Sequence, residues 1–318
     1  MRRAMARAEV GDDGFGEDAT TAALEERYAS MVGKEAALLC PSGVMANQVA
    51  MRVLARPGNR LIAGRLQHLV AFEFGATAIN CGLQLELLDD RNGRLSAAEV
   101  ADVVATVEHY QPEVGAVAVE NTHMAAGGRT SSRAELEAVV EAAAGRPVHL
   151  DGARLFNAAV ARGEDPAELA APATTVMTCL SKGLSAPMGS LLAGPAPLIE
   201  HAKVERKRLG GALRQSGVIA AAGLVALEQM VDRLERDHRR ARVLAEAVGE
   251  VWPGSLLGPV ETNIVSFRHD DPAALIAFLA SRGVLADTIG PGIVRLVTHR
   301  HVKDRHVAEA IRAISDAP

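Results

Sequence analysis

The stretch His149-Leu150-Asp151-Gly152-Ala153-Arg154 closes a short apolar run at 147–150. After a second run, rich in β-branched residues at 174–179, it is followed by Leu180-Ser181-Lys182-Gly183. Both runs have strand length and strand composition, and each ends on a polar residue and a glycine. Working outward, further runs at 36–40, 114–119 and 189–193 alternate with stretches near 43–56, 96–107 and 132–144 that carry apolar residues at helical spacing. Ser96 and Ser131 or Ser132 stand where N-caps belong. This alternation predicts βαβ units around a largely parallel sheet, that is, an α/β fold.

In open α/β sheets the ligand crevice lies at the carboxyl ends of the strands, so Asp151 and Lys182 are placed to face one bound group. Taken singly, the aspartate could cap a turn and the lysine could be a solvated loop residue. Together they are the pair that pyridoxal phosphate needs. Its aldehyde requires an amine, and its ring draws electrons only while a buried carboxylate keeps the pyridine nitrogen protonated. A third element, Pro41-Ser42-Gly43-Val44-Met45-Ala46-Asn47, joins a strand to a helix. Free backbone N–H groups and the helix dipole favour a phosphate there, with Gly43 expected to let the ligand approach closely.

Composition excludes other classes. The 318 residues are 48% hydrophobic and 23% charged with a net charge of −5, which offers no basic stripe to nucleic acid and points to small-molecule partners. Cys40, Cys81 and Cys179 lie far apart in separate apolar stretches, without zinc spacing, as reduced thiols in a cytoplasm would, and no metal site is expected. The basic start Met1-Arg2-Arg3 runs into Glu9, Asp12 and Asp13 rather than an apolar segment, so no signal peptide is read, and no window approaches a membrane span. Gly33-Lys34-Glu35 lacks Walker spacing, and no GxGxxG opens a βαβ unit.

From Arg214 to about Val248 the pattern is almost wholly helical, and a domain boundary is expected inside that helix. It divides a large cofactor domain, residues 1–236, from a small C-terminal α+β domain, 237–318. The small domain should hold strands at 262–267 and 292–297, a helix near 271–282 and a last helix from about 302. His68 follows a strand end and could stack on a cofactor ring and move a proton, or be a structural histidine. His109 and His123 have the same two readings. Arg154 and Arg295 are the choices for a substrate carboxylate, because the guanidinium fork is bidentate and an unpaired charge inside the Ile293–Val297 run would be costly. Gly210-Gly211-Ala212-Leu213-Arg214-Gln215 reads as a glycine loop with Lys207 just upstream.

With these residues in view, the chain resembles the L-threonine aldolases, low-specificity enzymes of the β-eliminating lyase group with pyridoxal-phosphate fold type I, the aspartate-aminotransferase fold. The matching stretches are Val10-Gly11-Asp12-Asp13, Gly33-Lys34-Glu35-Ala36-Ala37, Glu120-Asn121-Thr122-His123, Asp151 to Ala158, Cys179 to Leu184, Arg214-Gln215-Ser216-Gly217 and Arg295-Leu296-Val297-Thr298-His299. The resemblance implies Lys182 as the Schiff-base lysine, Asp151 on the pyridine nitrogen and His68 on the ring. It also implies Arg154 and Arg295 on the substrate carboxylate, and Ser42, Gly43 and Val44 at the phosphate. It further implies a homotetramer, a dimer of dimers to whose neighbouring sites Lys207 and Arg214 contribute. The implied reaction is reversible cleavage of a β-hydroxy-α-amino acid, threonine or allo-threonine, to glycine and an aldehyde, with His68 or a water it orients taking the hydroxyl proton. β-Elimination, dehydration or racemisation on the same cofactor, or a decayed paralogue, are the alternatives.

Three departures from the family pattern bear on substrate choice. Phe15 stands where Tyr is usual, Val44 replaces a phosphate-side Thr, and Met124 follows His123 where Asn is usual. The family's Arg-Ser-Asp-Thr segment, whose serine helps to hold the substrate carboxylate, lies before the point at which this sequence starts; either the sequence is truncated there, or Arg154 and Arg295 hold the carboxylate with some other help.

Overall fold

A computed structural model describes residues 1–106 and 109–317. Val107, the last residue of the expected 96–107 helix, lies outside the described residues. The strands are β1 (Ala36–Cys40), β2 (Arg60–Gly64), β3 (Gln84–Leu88), β4 (Val114–Glu120), β5 (Val148–Asp151), β6 (Thr175–Cys179), β7 (Ser190–Gly194), β8 (Ile264–Arg268), β9 (Asp287–Gly290) and β10 (Ile293–Val297). The first seven form one sheet in the order β1-β7-β6-β5-β4-β2-β3. Only β7 runs against its neighbours, pairing antiparallel with both β1 and β6. The last three form a separate antiparallel sheet, β8-β10-β9. The fold is therefore that of pyridoxal-phosphate fold type I, a large, mostly parallel sheet between helices with a small α+β unit after it.

Most strands of the large sheet are buried on both faces and rich in apolar residues that alternate sides. Leu39, Val117, Val119, Val148, Leu150 and Val176 turn to one face, where Leu24 and Tyr28 of the helix Ala19–Met31 close the core. Leu38, Cys40, Ala116, Ala118, Met177 and Cys179 turn to the other, with Ala46, Val49 and Ala50 of the helix Gly43–Leu54. Tyr28 is fully buried and its hydroxyl donates to Thr178 Oγ1 at 2.9 Å, so the phenol has the partner that burial demands. A third core, from Ala241 to Ile314, lies under the small sheet.

Local signals account for much of this. Ser96 Oγ accepts from Glu99 N–H, and Ser132 forms a full capping box with Glu135, so Ser132 and not Ser131 is the cap. Ser131 instead exchanges two hydrogen bonds with the Asn121 side chain. The single long helix expected from Arg214 is two, Gly217–Gln229 and Leu234–Val251. Leu234 is buried in the large core, and Arg233 makes a two-pronged ion pair with the buried Asp237, so the chain turns there to start a second amphipathic helix. Among the described residues no helix is long and apolar enough to cross a membrane.

Candidate active site

The alternation of β5 decides which residues meet. Val148 and Leu150 face one core, so His149 and Asp151 face the Gly43–Leu54 helix on the other side. Asp151 is the last residue of β5, paired with Glu120 at the end of β4 and Met177 in the middle of β6. Lys182 sits in the turn from β6 to β7. Ser42 and Gly43 follow β1, and His68 follows β2 as the first residue of the short helix His68–Ala71. All five therefore gather at the carboxyl edge of the parallel strands. There Ser42, Gly43, Val44, Asn47, His68, Asp151, Cys179 and Lys182 line one cavity of about 280 Å³.

The residues fit pyridoxal phosphate. Lys182 Nζ has no hydrogen bond or ion pair among the described residues. Asp151, 4% exposed, is held at both oxygens: Oδ1 accepts from Ala153 N–H at 3.0 Å and Oδ2 from Asn47 Nδ2 at 2.8 Å. Ser42 caps its helix by accepting from Met45 N–H, which leaves the N–H groups of Gly43 and Val44, both at the cavity wall, without intrahelical partners. Gly43 lines the cavity and also has a packing role. A Cβ there would stand 2.7 Å from Cys179 Sγ and 3.2 Å from Met177 Cε, so the glycine is required by the packing of this helix on β6.

His68 Nδ1 lies 3.0 Å from Glu73 Oε1, and its own backbone N–H donates to Glu120 Oε2 at 2.7 Å. The Glu73 hydrogen bond raises the His68 pKa, aided by Asp151 and opposed by burial and Lys182. Burial pushes the Glu120 carboxyl up as well. The ligand atoms of His68, Glu73 and Asp151 lie within 4.8 Å of one another, a spacing that their hydrogen bonds to each other and to Asn47 account for.

Arg154 opens onto a second cavity of about 360 Å³, which shares Ser181 and Lys182 with the first and adds Asn263, His299, Arg300 and His301. Its Nε is shielded and has no partner, and burial together with the nearby Arg295 charge lowers its pKa. Arg295 is also without a close carboxylate: Nη1 meets Met124 Sδ at 3.1 Å, the Asp287 carboxylate is 3.9 Å away, and Nε is shielded and unpaired. Two neighbouring guanidinium groups, each with a buried Nε that has no hydrogen-bond partner among the described residues, suit an anionic ligand.

Other expected residues lie elsewhere. His109 is exposed in the turn before β4, at the amino end of the parallel strands and so at the far edge of the sheet from Lys182; its ring meets Tyr110 edge-on. His123 is buried with both nitrogens engaged, Nε2 at 2.8 Å from Asp90 Oδ2 and Nδ1 accepting from Ala126 N–H. It lines a separate cavity with Gln67 and Glu120. Lys207 is exposed at the end of the helix Ala196–Arg208. Arg214 is exposed, pairs with Asp12 Oδ2 at 2.9 Å and lies over the Phe15 ring. Sequence reasoning assigns no role to Asn47, Glu73 or His149. The first and third lie inside the quoted segments, and Glu73 announces itself only as a carboxylate five residues past His68.

A family model described as "Beta-eliminating lyase" matches residues 1–271. The chain is 37% identical to low-specificity L-threonine aldolase 1 of Arabidopsis thaliana, over 100% of this chain and 92% of that protein. It is likewise 37% identical to the low specificity L-threonine aldolase of Escherichia coli K12, over 97% and 92%. Among solved structures, threonine aldolase of Leishmania major superposes with a TM-score of 0.83 at 20% identity, covering 94% of this chain and 90% of that one, a likeness of fold. The match over residues 1–271, with full-length relatives well above 30% identity and a lysine–aspartate site that fits the cofactor, places the chain in the β-eliminating lyase family as a pyridoxal-phosphate-dependent lyase.

Proposed function

We propose that the protein reversibly cleaves the Cα–Cβ bond of a β-hydroxy-α-amino acid, L-threonine or L-allo-threonine in the first place, to glycine and an aldehyde. The observation that carries this reading is the meeting, at one cavity, of the unpartnered Lys182 amine, the anchored Asp151 carboxylate and a histidine whose Nδ1 is tied to Glu73. The relatives named as L-threonine aldolases support the choice of substrate. Bound pyridoxal phosphate supplies the electron sink conjugated to Cα.

The chain's own residues do the rest. Lys182 would hold the cofactor through its free amine. Asp151 keeps the ring nitrogen protonated, and the Ser42-Gly43-Val44 turn takes the phosphate on backbone N–H groups. Arg154 and Arg295 clamp the α-carboxylate, which fixes the Cα–Cβ bond in orientation. His68, with Nδ1–H directed at Glu73, presents Nε2 to the β-hydroxyl or to a water beside it and takes the proton as the bond breaks. On this reading the assembly is a homotetramer, in which the exposed Lys207 and Arg214 reach a neighbouring site.

The test is to load the purified protein with pyridoxal phosphate, add L-threonine and L-allo-threonine, and follow acetaldehyde through a coupled reductase. Acetaldehyde and glycine in equal amounts are expected. Cofactor uptake with neither product from either isomer would refute the aldolase reading.

A further inference from the structure

Asn47 stands in the second turn of the Gly43–Leu54 helix, 1% exposed, with both Nδ2 hydrogens and its Oδ1 engaged. One Nδ2 hydrogen goes to Asp151 Oδ2 and the other to Glu73 Oε1, each at 2.8 Å, and Oδ1 lies 3.0 Å from His149 Nε2. Only one orientation of the amide satisfies these contacts, because the reverse would aim its oxygen at two carboxylates. An amide oxygen only accepts, so His149 carries its proton on Nε2 and accepts at Nδ1 from Thr175 Oγ1–H, 2.9 Å away. His149 is fully buried, and a neutral ring is what this chain requires.

We propose that Asn47 is a positioning residue that couples the two acids of the site through a single amide: Asp151, which faces the cofactor's ring nitrogen, and Glu73, which orients His68. The inference rests on the cofactor reading above. The carboxylates belong to segments far apart in the chain, and like charges this close destabilise each other unless donors stand between them. Asn47 supplies those donors from the helix whose first turn faces the phosphate. The Thr175–His149 chain then fixes the direction of the amide from the sheet face on which this helix packs. Glu73 does not line the cofactor cavity; Asn47 bonds directly to both Glu73 and Asp151.

Asn47→Asp keeps the shape of the side chain, removes both donors and leaves three acids around one point. It is expected to weaken pyridoxal-phosphate binding about tenfold or more, and to move the pH at which the bound cofactor changes colour by about one unit. Asn47→Ala and Glu73→Gln should each weaken cofactor binding, and their effects in the double variant should fail to multiply by about threefold or more. Thermal unfolding without cofactor provides the control for a purely structural role.

Three results would overturn the proposal: cofactor affinity and colour transition unchanged in both Asn47 variants, loss of thermal stability alone, or effects at 47 and 73 that simply multiply. No cofactor uptake by the unaltered protein would overturn both this inference and the site reading. Uptake by the unaltered protein with unaffected Asn47 variants would sink this inference alone.

Discussion

Glu73 Oε1 lies 3.0 Å from His68 Nδ1 and 2.8 Å from Asn47 Nδ2, so one carboxylate oxygen serves both the imidazole and the amide that holds Asp151. This relation gives His68 a fixed tautomer with Nδ1–H facing Glu73, and leaves Nε2 as the working nitrogen.

The pH dependence follows from it. The Glu73 hydrogen bond raises the His68 pKa, so the ring keeps its proton to a higher pH than the ordinary value of about 6.5. A base acts only when deprotonated, so kcat/KM for threonine should rise with pH along a limb lying above about 6.5. Glu73→Gln removes the main cause of the rise, and the limb should move to lower pH. A limb that stays in place would deny His68 the role of base.

Lys182→Ala should abolish the visible absorbance of covalently held cofactor and lower kcat by at least about 1,000-fold, as loss of a covalent catalyst does. The apo protein should keep its thermal midpoint, since the Lys182 amine has no hydrogen-bond or ion-pair partner to lose among the described residues. Absorbance and rate are both simple to record on the same sample.

Arg154→Ala and Arg295→Ala should each raise KM for threonine by roughly 10- to 150-fold, the equivalent of about 1.5–3 kcal/mol for a hydrogen bond to a charged group. Among the described residues Arg154 makes no ion pair, and Arg295 has only a long contact, 3.9 Å, to the exposed Asp287, so little internal pairing is lost with either change. Lysine should restore little, because it cannot form the bidentate fork. Initial-rate kinetics over a wide substrate range would separate KM from kcat.

Stability should fall in acid through two buried histidines. Burial lowers His149 and His238 to about 4, whereas in the unfolded chain they titrate near 6.5. The folded state therefore binds fewer protons, its stability is fully present above pH 6.5, and it is lost as pH falls from about 6.5 towards 4. Each site contributes on the order of 2–3 kcal/mol across that window. Urea midpoints measured from pH 7 to 4.5 should drop, and His149→Gln should flatten the drop while lowering the midpoint at pH 7.

The sequence by itself determined the elements whose signals are local. The apolar run ending at Asp151 and the β-branched run ahead of Lys182 are strands, a helix starts at the Ser131-Ser132 pair, and Ser42-Gly43 joins a strand to a helix. Period-two alternation even put His149 and Asp151 on one face. Only the tertiary structure decided which residues meet them. Asn47 reaches Asp151 across 104 positions and Glu73 across 26, distances over which no spacing rule operates. The same holds for exclusions. His109 and His123 look alike in sequence, but one stands at the amino edge of the sheet, and the other is occupied by Asp90 and Ala126. The reason for Gly43 is also tertiary, because the missing Cβ makes room for Cys179 on a strand that comes 136 residues later. Hydrophobic periodicity and caps act within a few residues and fix what each segment becomes. The packing of two helical layers on one sheet fixes which polar side chains share a buried space and must therefore satisfy one another.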